Sequence, residues 1–178
     1  MYKTVEESRI EISQLMLPSN TNFGGKIHGG FILGLMDQIA FACASKHSGS
    51  YCVTASVDKV DFLNAIEVGE LVTMKASINY VGTSSMVVGI RVVSENIQTG
   101  TKKHCNSSYF TMVAIDNSGN TVNVPGLILK NKIDAKRFIK AIKRRESETS
   151  KNEALSLVYK NVDDYLEHLQ DYRIKIDF

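Results

Sequence analysis

Residues 22–42, NFGGKIHGGFILGLMDQIAFA, join a glycine-rich loop to an apolar run that has one carboxylate in its middle. The run from Phe31 to about Ser45 is apolar nearly all round, which predicts a helix buried on most of its sides. Asp37 stands inside that run, and an ionised carboxylate in apolar surroundings is costly unless it is paired, hydrogen-bonded or set in a cavity. The stretch therefore predicts a central helix and a charge that needs an explanation.

The residues on either side of this helix have the two-residue period of antiparallel strands. Apolar and polar side chains alternate in 71–80 (LVTMKASINY) and again in 85–95, while 52–63, 104–116 and the short stretch 8–17 are also strand-like. The links between the last four strands are of hairpin length, so we expect these strands to form a meander. An antiparallel sheet long enough to wrap one all-apolar helix is an α+β hotdog fold. Such a sheet leaves an edge exposed, so we also expect a dimer.

Composition and charge narrow the class of protein. The 178 residues are 43% hydrophobic and 22% charged, and their net charge of +2 is too small to indicate a nucleic-acid or membrane partner. Three cysteines without a C-x-x-C pair argue against a disulfide framework and against a zinc site. The first residues are charged and lack an apolar signal core, and no apolar run approaches membrane length. We therefore expect a cytoplasmic protein without a metal.

The last fifty residues differ from the rest of the chain. From about residue 134 to 151 the sequence is helical and strongly charged, and 136–145 (KRFIKAIKRR) holds six Lys or Arg and no acid. This change of composition predicts a hotdog domain over 1–126 and a basic helical extension over 127–178. The basic run is either a solvated helix face or a site for an anion.

The glycine-rich loop and the carboxylate together could form a hydrolytic centre. Free N–H groups at Gly29 and Gly30 would lie at the positive end of the helix, where they stabilise a developing oxyanion. Asn22 offers a neutral donor and acceptor, and Asp37, seven residues beyond Gly30, faces the same side of the helix. No G-x-S-x-G elbow is present, so a water attacking with carboxylate help fits, best with a thioester. The alternative is a structural Asp37 that caps a neighbouring group.

His28 has two interpretations. An imidazole beside the helix start could act as a general base, but the H-F-P-G setting of hotdog dehydratases is absent. We expect His28 to shape the loop or to line the substrate groove.

The order of the motifs resembles one family. N-x(6)-GG-x(6)-D, here Asn22, Gly29-Gly30 and Asp37, resembles the acyl-CoA thioesterase family of hotdog proteins, of the cytosolic acyl-CoA hydrolase type. The segments CVTASVDKVDFLNAIEVGELV, GTSSM and SENIQTGTKK look like the next three blocks of that family, in the same order. The resemblance covers roughly residues 10–125.

The resemblance implies an enzyme that hydrolyses fatty acyl-CoA to a free fatty acid and coenzyme A, with no metal or other cofactor. It implies that Asn22 positions the carbonyl or the attacking water and that Asp37 is the base or the nucleophile. In relatives these two residues come from different subunits. Thr54 matches a threonine that assists them, and the Gly30 amide matches the donor that faces the thioester oxygen. The implied assembly is a hexamer built as a trimer of dimers.

The resemblance also implies where coenzyme A binds. Strand, hairpin and basic-cluster positions of the family correspond here to His28, Gly29, Ala55, Ser56, Val57, Ser84, Ser85, Met86 and Arg145. Many members have phenylalanine in place of His28, so the mouth of the groove is expected to differ. We expect the acyl chain length to depend on Phe31, Leu35 and Phe62.

A non-catalytic acyl-CoA sensor of the same fold is the alternative from a different class. Hotdog regulators carry a DNA-binding segment ahead of the fold, and the roughly twenty residues before the loop are too few for a helix-turn-helix. The basic run has only Phe138 among its cations, which does not make a stacking platform for RNA. We therefore expect no nucleic-acid partner.

Overall fold

The computed structural model describes residues 1–160 and 172–175, which form eleven elements. In chain order they are β1 Tyr2–Thr4, α1 Val5–Ser8, β2 Ile10–Leu15, a 3-10 turn Pro18–Asn20, α2 Gly29–Ser48, β3 Tyr51–Val57, β4 Glu70–Val81, β5 Ser85–Asn96, β6 Lys102–Ile115, β7 Gly126–Ile128 and α3 Lys132–Lys160.

Five of the strands form a curled antiparallel sheet in the order β2-β4-β5-β6-β3. Strands β4, β5 and β6 make the predicted meander, but β3 lies beyond β6 at the edge, so the prediction of a hairpin between β3 and β4 is wrong. The residues after β3 continue along β6 instead of turning back. The Asp58 N–H donates to the Tyr109 carbonyl and the Leu63 N–H to the Cys105 carbonyl, both at 2.9 Å.

The predicted inner faces of β4 and β5 are buried, although Ser77 and Asn79 on the predicted polar face of β4 are buried as well. The side chains of Val72, Met74, Ala76 and Ile78 on β4 are buried, and so are those of alternate residues on β5. They pack with the inner side of α2 in one hydrophobic core, which confirms the α+β hotdog fold.

Helix α2 is longer than expected and is not buried all round. It begins at Gly29 and ends at Ser48, where Gly49 takes a left-handed conformation (φ 75°) and closes the last turn. The side chains of one stripe remain exposed, so the expectation of burial on most sides is wrong for the single chain. One sheet covers only part of the helix circumference, and the open stripe contains Gly30, Gly34, Asp37, Gln38 and Phe41.

Two short elements at the start of the chain were not predicted. Strand β1 pairs in parallel with β7, with Tyr2 opposite Gly126 and Thr4 opposite Ile128. The Lys3 ammonium donates to the carbonyls of His47 (2.7 Å) and Lys46 (3.1 Å) at the carboxyl end of α2. Strands of three residues are too short to show a period.

The chain divides into two compact units, 1–138 and 139–178. Helix α3 carries the basic run and extends beyond the predicted end near residue 151. The predicted division after residue 126 stays a prediction, and most of the tail beyond Glu153 lies outside the described residues. Within the described part of the chain, every helix is too short or too polar to cross a membrane.

Candidate active site

Asp37 and Thr54 meet on the open side of α2. The Thr54 hydroxyl donates to Asp37 Oδ1 at 2.6 Å, and both side chains are exposed in the single chain. The carboxylate therefore lies on the surface and not within the apolar core that the sequence indicated. A charge in this position keeps most of its hydration, while one oxygen is fixed by the hydroxyl.

The edge position of β3 brings Thr54 to the helix. Thr54 is opposite Met112 in the β3–β6 ladder, and the register shifts between Thr54 and Ser56. Such a shift is a β-bulge, which redirects the side chains on either side of it. The Thr54 hydroxyl also lies 3.5 Å from the Met112 sulfur. The threonine is thus held between the sheet and the helix.

Asn22 organises its own loop. Its Oδ1 accepts from the backbone N–H groups of Gly24 (2.9 Å) and Lys26 (3.2 Å). Among the described residues, no hydrogen bond joins Asn22 to Asp37 or Thr54, and its Nδ2 amide donates to no group. In the described part of a single chain, the two Nδ2 hydrogens of Asn22 therefore remain available to another group.

The start of α2 carries a cap that the sequence did not indicate. His28 is the N-cap residue, and its Nδ1 accepts the Gly30 N–H at 2.9 Å. The amide that was predicted to face the thioester oxygen is therefore already bonded. Histidine is not among the residues favoured at N-caps, so propensity could not have found this contact.

A second ring lies beside the first at the helix start. A Cβ built on Gly29 would be 3.2 Å from the Phe62 ring, and one on Gly30 would be 2.8 Å from Cε1 of His28. The two glycines thus allow two rings to approach the backbone. Phe62 is half-exposed, whereas Leu35, another residue expected to set the acyl chain length, lies in the core.

The predicted coenzyme A contacts fall in four places: the start of α2, where His28 and Gly29 lie, then β3, the β4–β5 turn and α3. Residues Ala55, Ser56 and Val57 are exposed on β3, next to Thr54. Ser84 and Ser85 lie at the β4–β5 turn, and the Met86 side chain is fully buried, so only its backbone can reach a ligand.

Two of these places, β3 and the β4–β5 turn, lie at the two ends of one row of the sheet. Met112 on β6 has Thr54 opposite on one side and Met86 opposite on the other. Strands are about 4.8 Å apart, so the two neighbours of Met112 are separated by about 10 Å.

Arg145 lies on α3 in the unit 139–178 and is exposed. Its predicted contact with coenzyme A stays a prediction. Nearby, Lys143 and Glu146 form an exposed ion pair at 2.9 Å.

The cysteines are not nucleophiles of this site. Cys43, Cys52 and Cys105 are all buried and free. Burial raises the pKa of the Cys43 thiol to about 12, and a thiol, unlike a thiolate, is a poor nucleophile. In the part of the chain that the structure describes, no three His, Cys, Asp or Glu side chains cluster as a metal site would.

One buried polar residue was missed altogether. His47, near the end of α2, is fully buried and bonded through both ring nitrogens, to Ser8 Oγ at 3.2 Å and to the Pro125 carbonyl at 3.0 Å. Burial lowers its pKa below the ordinary value for histidine. No pattern in the sequence pairs it with residues 39 and 78 positions away.

Comparison with known proteins identifies the family of this chain. The model of the thioesterase superfamily matches residues 24–101. The acyl-CoA thioester hydrolase YkhA of Bacillus subtilis is 35% identical over 69% of this chain and 72% of its own length. A solved apo structure of a hexameric acyl-CoA thioesterase is 36% identical with a TM-score of 0.82, over 85% of this chain and 97% of that one.

A hydrolase from Staphylococcus aureus bears on the site residues. Its structure with butyryl coenzyme A, coenzyme A and coenzyme A disulfide is 29% identical, with a TM-score of 0.81 over 92% of this chain and 99% of that one. Three variants of it were also solved, each with one residue changed to alanine. The residues are an asparagine, an aspartate 15 positions later and a threonine 17 positions after the aspartate. Asn22, Asp37 and Thr54 have the same two spacings. This chain belongs to the thioesterase superfamily, among the hotdog-fold acyl-CoA thioesterases, and is a thioester hydrolase.

Proposed function

We propose that this chain hydrolyses the thioester of fatty acyl-CoA, with Asp37 as the group that activates water. The observation that supports this most directly is the 2.6 Å hydrogen bond from the Thr54 hydroxyl to Asp37 Oδ1. That bond orients the carboxylate and leaves its other oxygen available. A free carboxylate oxygen on an open helix face can accept a proton from a bound water.

The dimensions of α2 suit this role. Gly30 and Asp37 are seven residues apart, or about 10 Å along the axis, and side chains on a helix lean toward its amino end. Three distances must fit into this length: from the Gly30 N–H to the thioester oxygen, from the attacking water to the carbonyl carbon, and from that water to Asp37. Each is about 3 Å. A thioester whose oxygen lies at Gly30 would therefore have its attacking water near Asp37.

The reaction that follows is balanced without another reactant. Water attacks the carbonyl carbon as Asp37 takes one of its protons, and the carbonyl oxygen becomes an oxyanion at the helix start. The carbon–sulfur bond then breaks as the C=O reforms, and the thiolate of coenzyme A takes the proton. The products are a fatty acid and free coenzyme A, and the scheme invokes no metal or redox cofactor.

A second copy of the chain would complete the site. The Nδ2 donors of Asn22 are unused in one chain, which fits an asparagine that serves the Asp37 of a partner. Strand β3 is a sheet edge with exposed Tyr51, Val53 and Val57, and Phe23 beside Asn22 is fully exposed. Apolar edges of this kind pair with another edge. We propose a dimer across β3 and, since one solved relative is hexameric, a hexamer in which three such dimers assemble.

The remaining predicted contacts have a consistent place in this scheme. The β3 residues 55–57 and the turn at Ser84 and Ser85 flank the row that contains Thr54, where the pantetheine arm could run. Lys143 and Arg145 are exposed and Arg144 is half-buried, and cations of this kind suit the phosphates of coenzyme A. Phe31 and Phe62 are the candidates that remain for setting the acyl chain length. We propose a cytoplasmic location, with no membrane or nucleic-acid partner.

The test is thiol release from a series of acyl-CoA esters, short to long, by the native chain and by Asp37→Asn. We expect the native chain to turn over and Asp37→Asn to lose ~10²–10⁴ in rate, as expected for removal of a general base. Because asparagine has the shape of aspartate and its side-chain oxygen can still accept from the Thr54 hydroxyl, the variant should keep its melting temperature and its oligomeric state.

Glu11→Gln is the matched control, since it also neutralises an exposed carboxylate. Glu11 lies on β2, the edge strand opposite β3, and pairs with Lys75 at 3.1 Å. This variant should turn over like the native chain. Tight binding of acyl-CoA by the native chain without thiol release would favour the non-catalytic sensor and return Asp37 to a structural role.

A further inference from the structure

The hydrogen bond between His28 and Gly30 occupies the donor that hydrolysis would use. Gly30 N–H donates to His28 Nδ1 at 2.9 Å, a normal length for such a bond. We call this contact the His28 cap. An N–H group directed at one acceptor has no second hydrogen to offer, so the cap and a thioester oxygen compete for the same amide.

The imidazole also fills the space in which the oxygen would lie. A Cβ on Gly30 would be 2.8 Å from Cε1 and 3.0 Å from Nδ1 of His28, so the ring lies directly against the backbone. On the neighbouring glycine, the Phe62 ring would be 3.2 Å from such a Cβ. In this state the two rings cover the helix start.

The segment that carries Phe62 is bonded to β6, whereas the His28 ring is held at Gly30 by one hydrogen bond. The backbone beside Phe62 is fixed to β6, because the Leu63 N–H donates to the Cys105 carbonyl and the Asn64 side chain donates to the His104 carbonyl, both at 2.9 Å. The His28 side chain is exposed, and in the described part of the chain the cap is its one hydrogen bond. Rotation of the imidazole away from Gly30 therefore breaks a single bond and exposes the amide.

We propose that His28 is a positioning residue that holds the oxyanion donor closed until the thioester oxygen displaces it. This rests on the proposed function. It gives His28 the opposite role to a substrate-binding residue, since the cap stabilises the free enzyme and opposes binding at Gly30. Removing the cap should make the chain less stable and the reaction from free enzyme faster.

The variant that tests this is His28→Phe, which keeps a planar ring but has no acceptor. An N-cap hydrogen bond is typically worth enough to change an equilibrium by ~2- to ~30-fold, so kcat/KM should rise within that range. The melting temperature should fall. His28→Asn supplies an oxygen acceptor favoured at N-caps, so its kcat/KM should be at or below the native value and its melting temperature at or above it.

Thr4→Ala is the matched control for loss of a cap elsewhere. Thr4 caps α1 and exchanges hydrogen bonds with Glu7, away from Asp37. This variant should lose stability without any gain in kcat/KM.

Three results would overturn the proposal: a kcat/KM of His28→Phe at or below native, an equal gain in His28→Asn, or an unchanged melting temperature in His28→Phe. Absence of turnover by the native chain would instead reject the proposed function. In that case the melting temperatures of the two His28 variants still decide whether the cap forms in solution.

Discussion

Two polar residues of α2, Asp37 and His47, are ten positions apart and differ in burial and in the number of their hydrogen bonds. Asp37 is exposed and has one side-chain partner, on an edge strand. His47 is fully buried, and both of its ring nitrogens are bonded. A polar group that stabilises the fold needs all its bonds inside the chain, whereas a group that meets a ligand must keep some bonding capacity free.

His47 joins three separate parts of the chain. With Nε2–H donating to the Pro125 carbonyl, Nδ1 can accept from the Ser8 hydroxyl, so the neutral ring links α2 to α1 and to the segment before β7. A charged imidazole could not accept at Nδ1. The contrast with Asp37 predicts that changes at His47 act on stability and changes around Asp37 act on rate.

The largest stability effect should come from His47→Ala. The change removes two buried hydrogen bonds and leaves Ser8 Oγ and the Pro125 carbonyl without their partner, so the free energy of unfolding should fall by about 2–4 kcal/mol. Urea denaturation measures this loss. The folded variant, assayed well below its melting temperature, should keep the native kcat. A large loss of kcat in the folded variant would show that the two ends of α2 are not independent.

Thr54→Val should have a smaller effect, on rate alone. Valine has nearly the same shape and lacks the hydroxyl that orients Asp37, and a hydrogen bond to a charged group is worth enough to lower kcat by about ten- to a hundred-fold. Because valine favours strands and has nearly the shape of threonine, urea denaturation should find the free energy of unfolding within about 0.5 kcal/mol of native. Thr73→Val is the control, since Thr73 bonds the Ser13 hydroxyl on the far side of the sheet. A drop in stability without a drop in kcat would contradict the role of Thr54.

The smallest expected effect is on the pH dependence of stability. Burial lowers the pKa of His47 below its usual 6.5, with Lys3 acting in the same direction and the Pro125 bond and Glu7 opposing it. As the pH falls, His47 of the unfolded chain is therefore protonated at a higher pH than His47 of the folded chain. The stability that depends on neutral His47 is fully present above about pH 6.5. It is lost as the pH falls toward the lower folded pKa, by at most about 1.4 kcal/mol per pH unit. Urea denaturation between pH 7.5 and 5 should show this slope in the native chain and a smaller one in His47→Ala. Equal slopes would mean that His47 is not the group involved.

The fold could be predicted where a period carries the information. Alternation identified the buried faces of β4 and β5, and the apolar run identified α2. The order of strands could not be predicted, because the pattern of β3 does not say which neighbour it pairs with. Strand β3 pairs with β6 through its own ladder, and bonds from residues 58 and 63 continue that contact beyond the strand.

The site could be predicted in part. Helical spacing places Gly30 and Asp37 on one side of α2, and both lie on its open stripe. Thr54 was indicated by the family resemblance, and its hydrogen bond to Asp37 depends on the edge position of β3. The exposure of Asp37 could not be predicted, since the same apolar run would suit a helix covered by one sheet or by a sheet and a second copy. The His28 cap was missed because it depends on a rotamer, and not on a pattern.

The pairing of β1 with β7 can form only late in the synthesis of this domain. Residue 2 pairs with residue 126, so 124 residues must be made after β1 before its partner exists. At 5–20 residues per second the ribosome takes roughly 6–25 s over that length. Once residue 48 has been made, Lys3 can reach the end of α2, while the strands of the sheet that covers the helix are still being made. Strand β1 is therefore made well before β7, the strand with which it pairs.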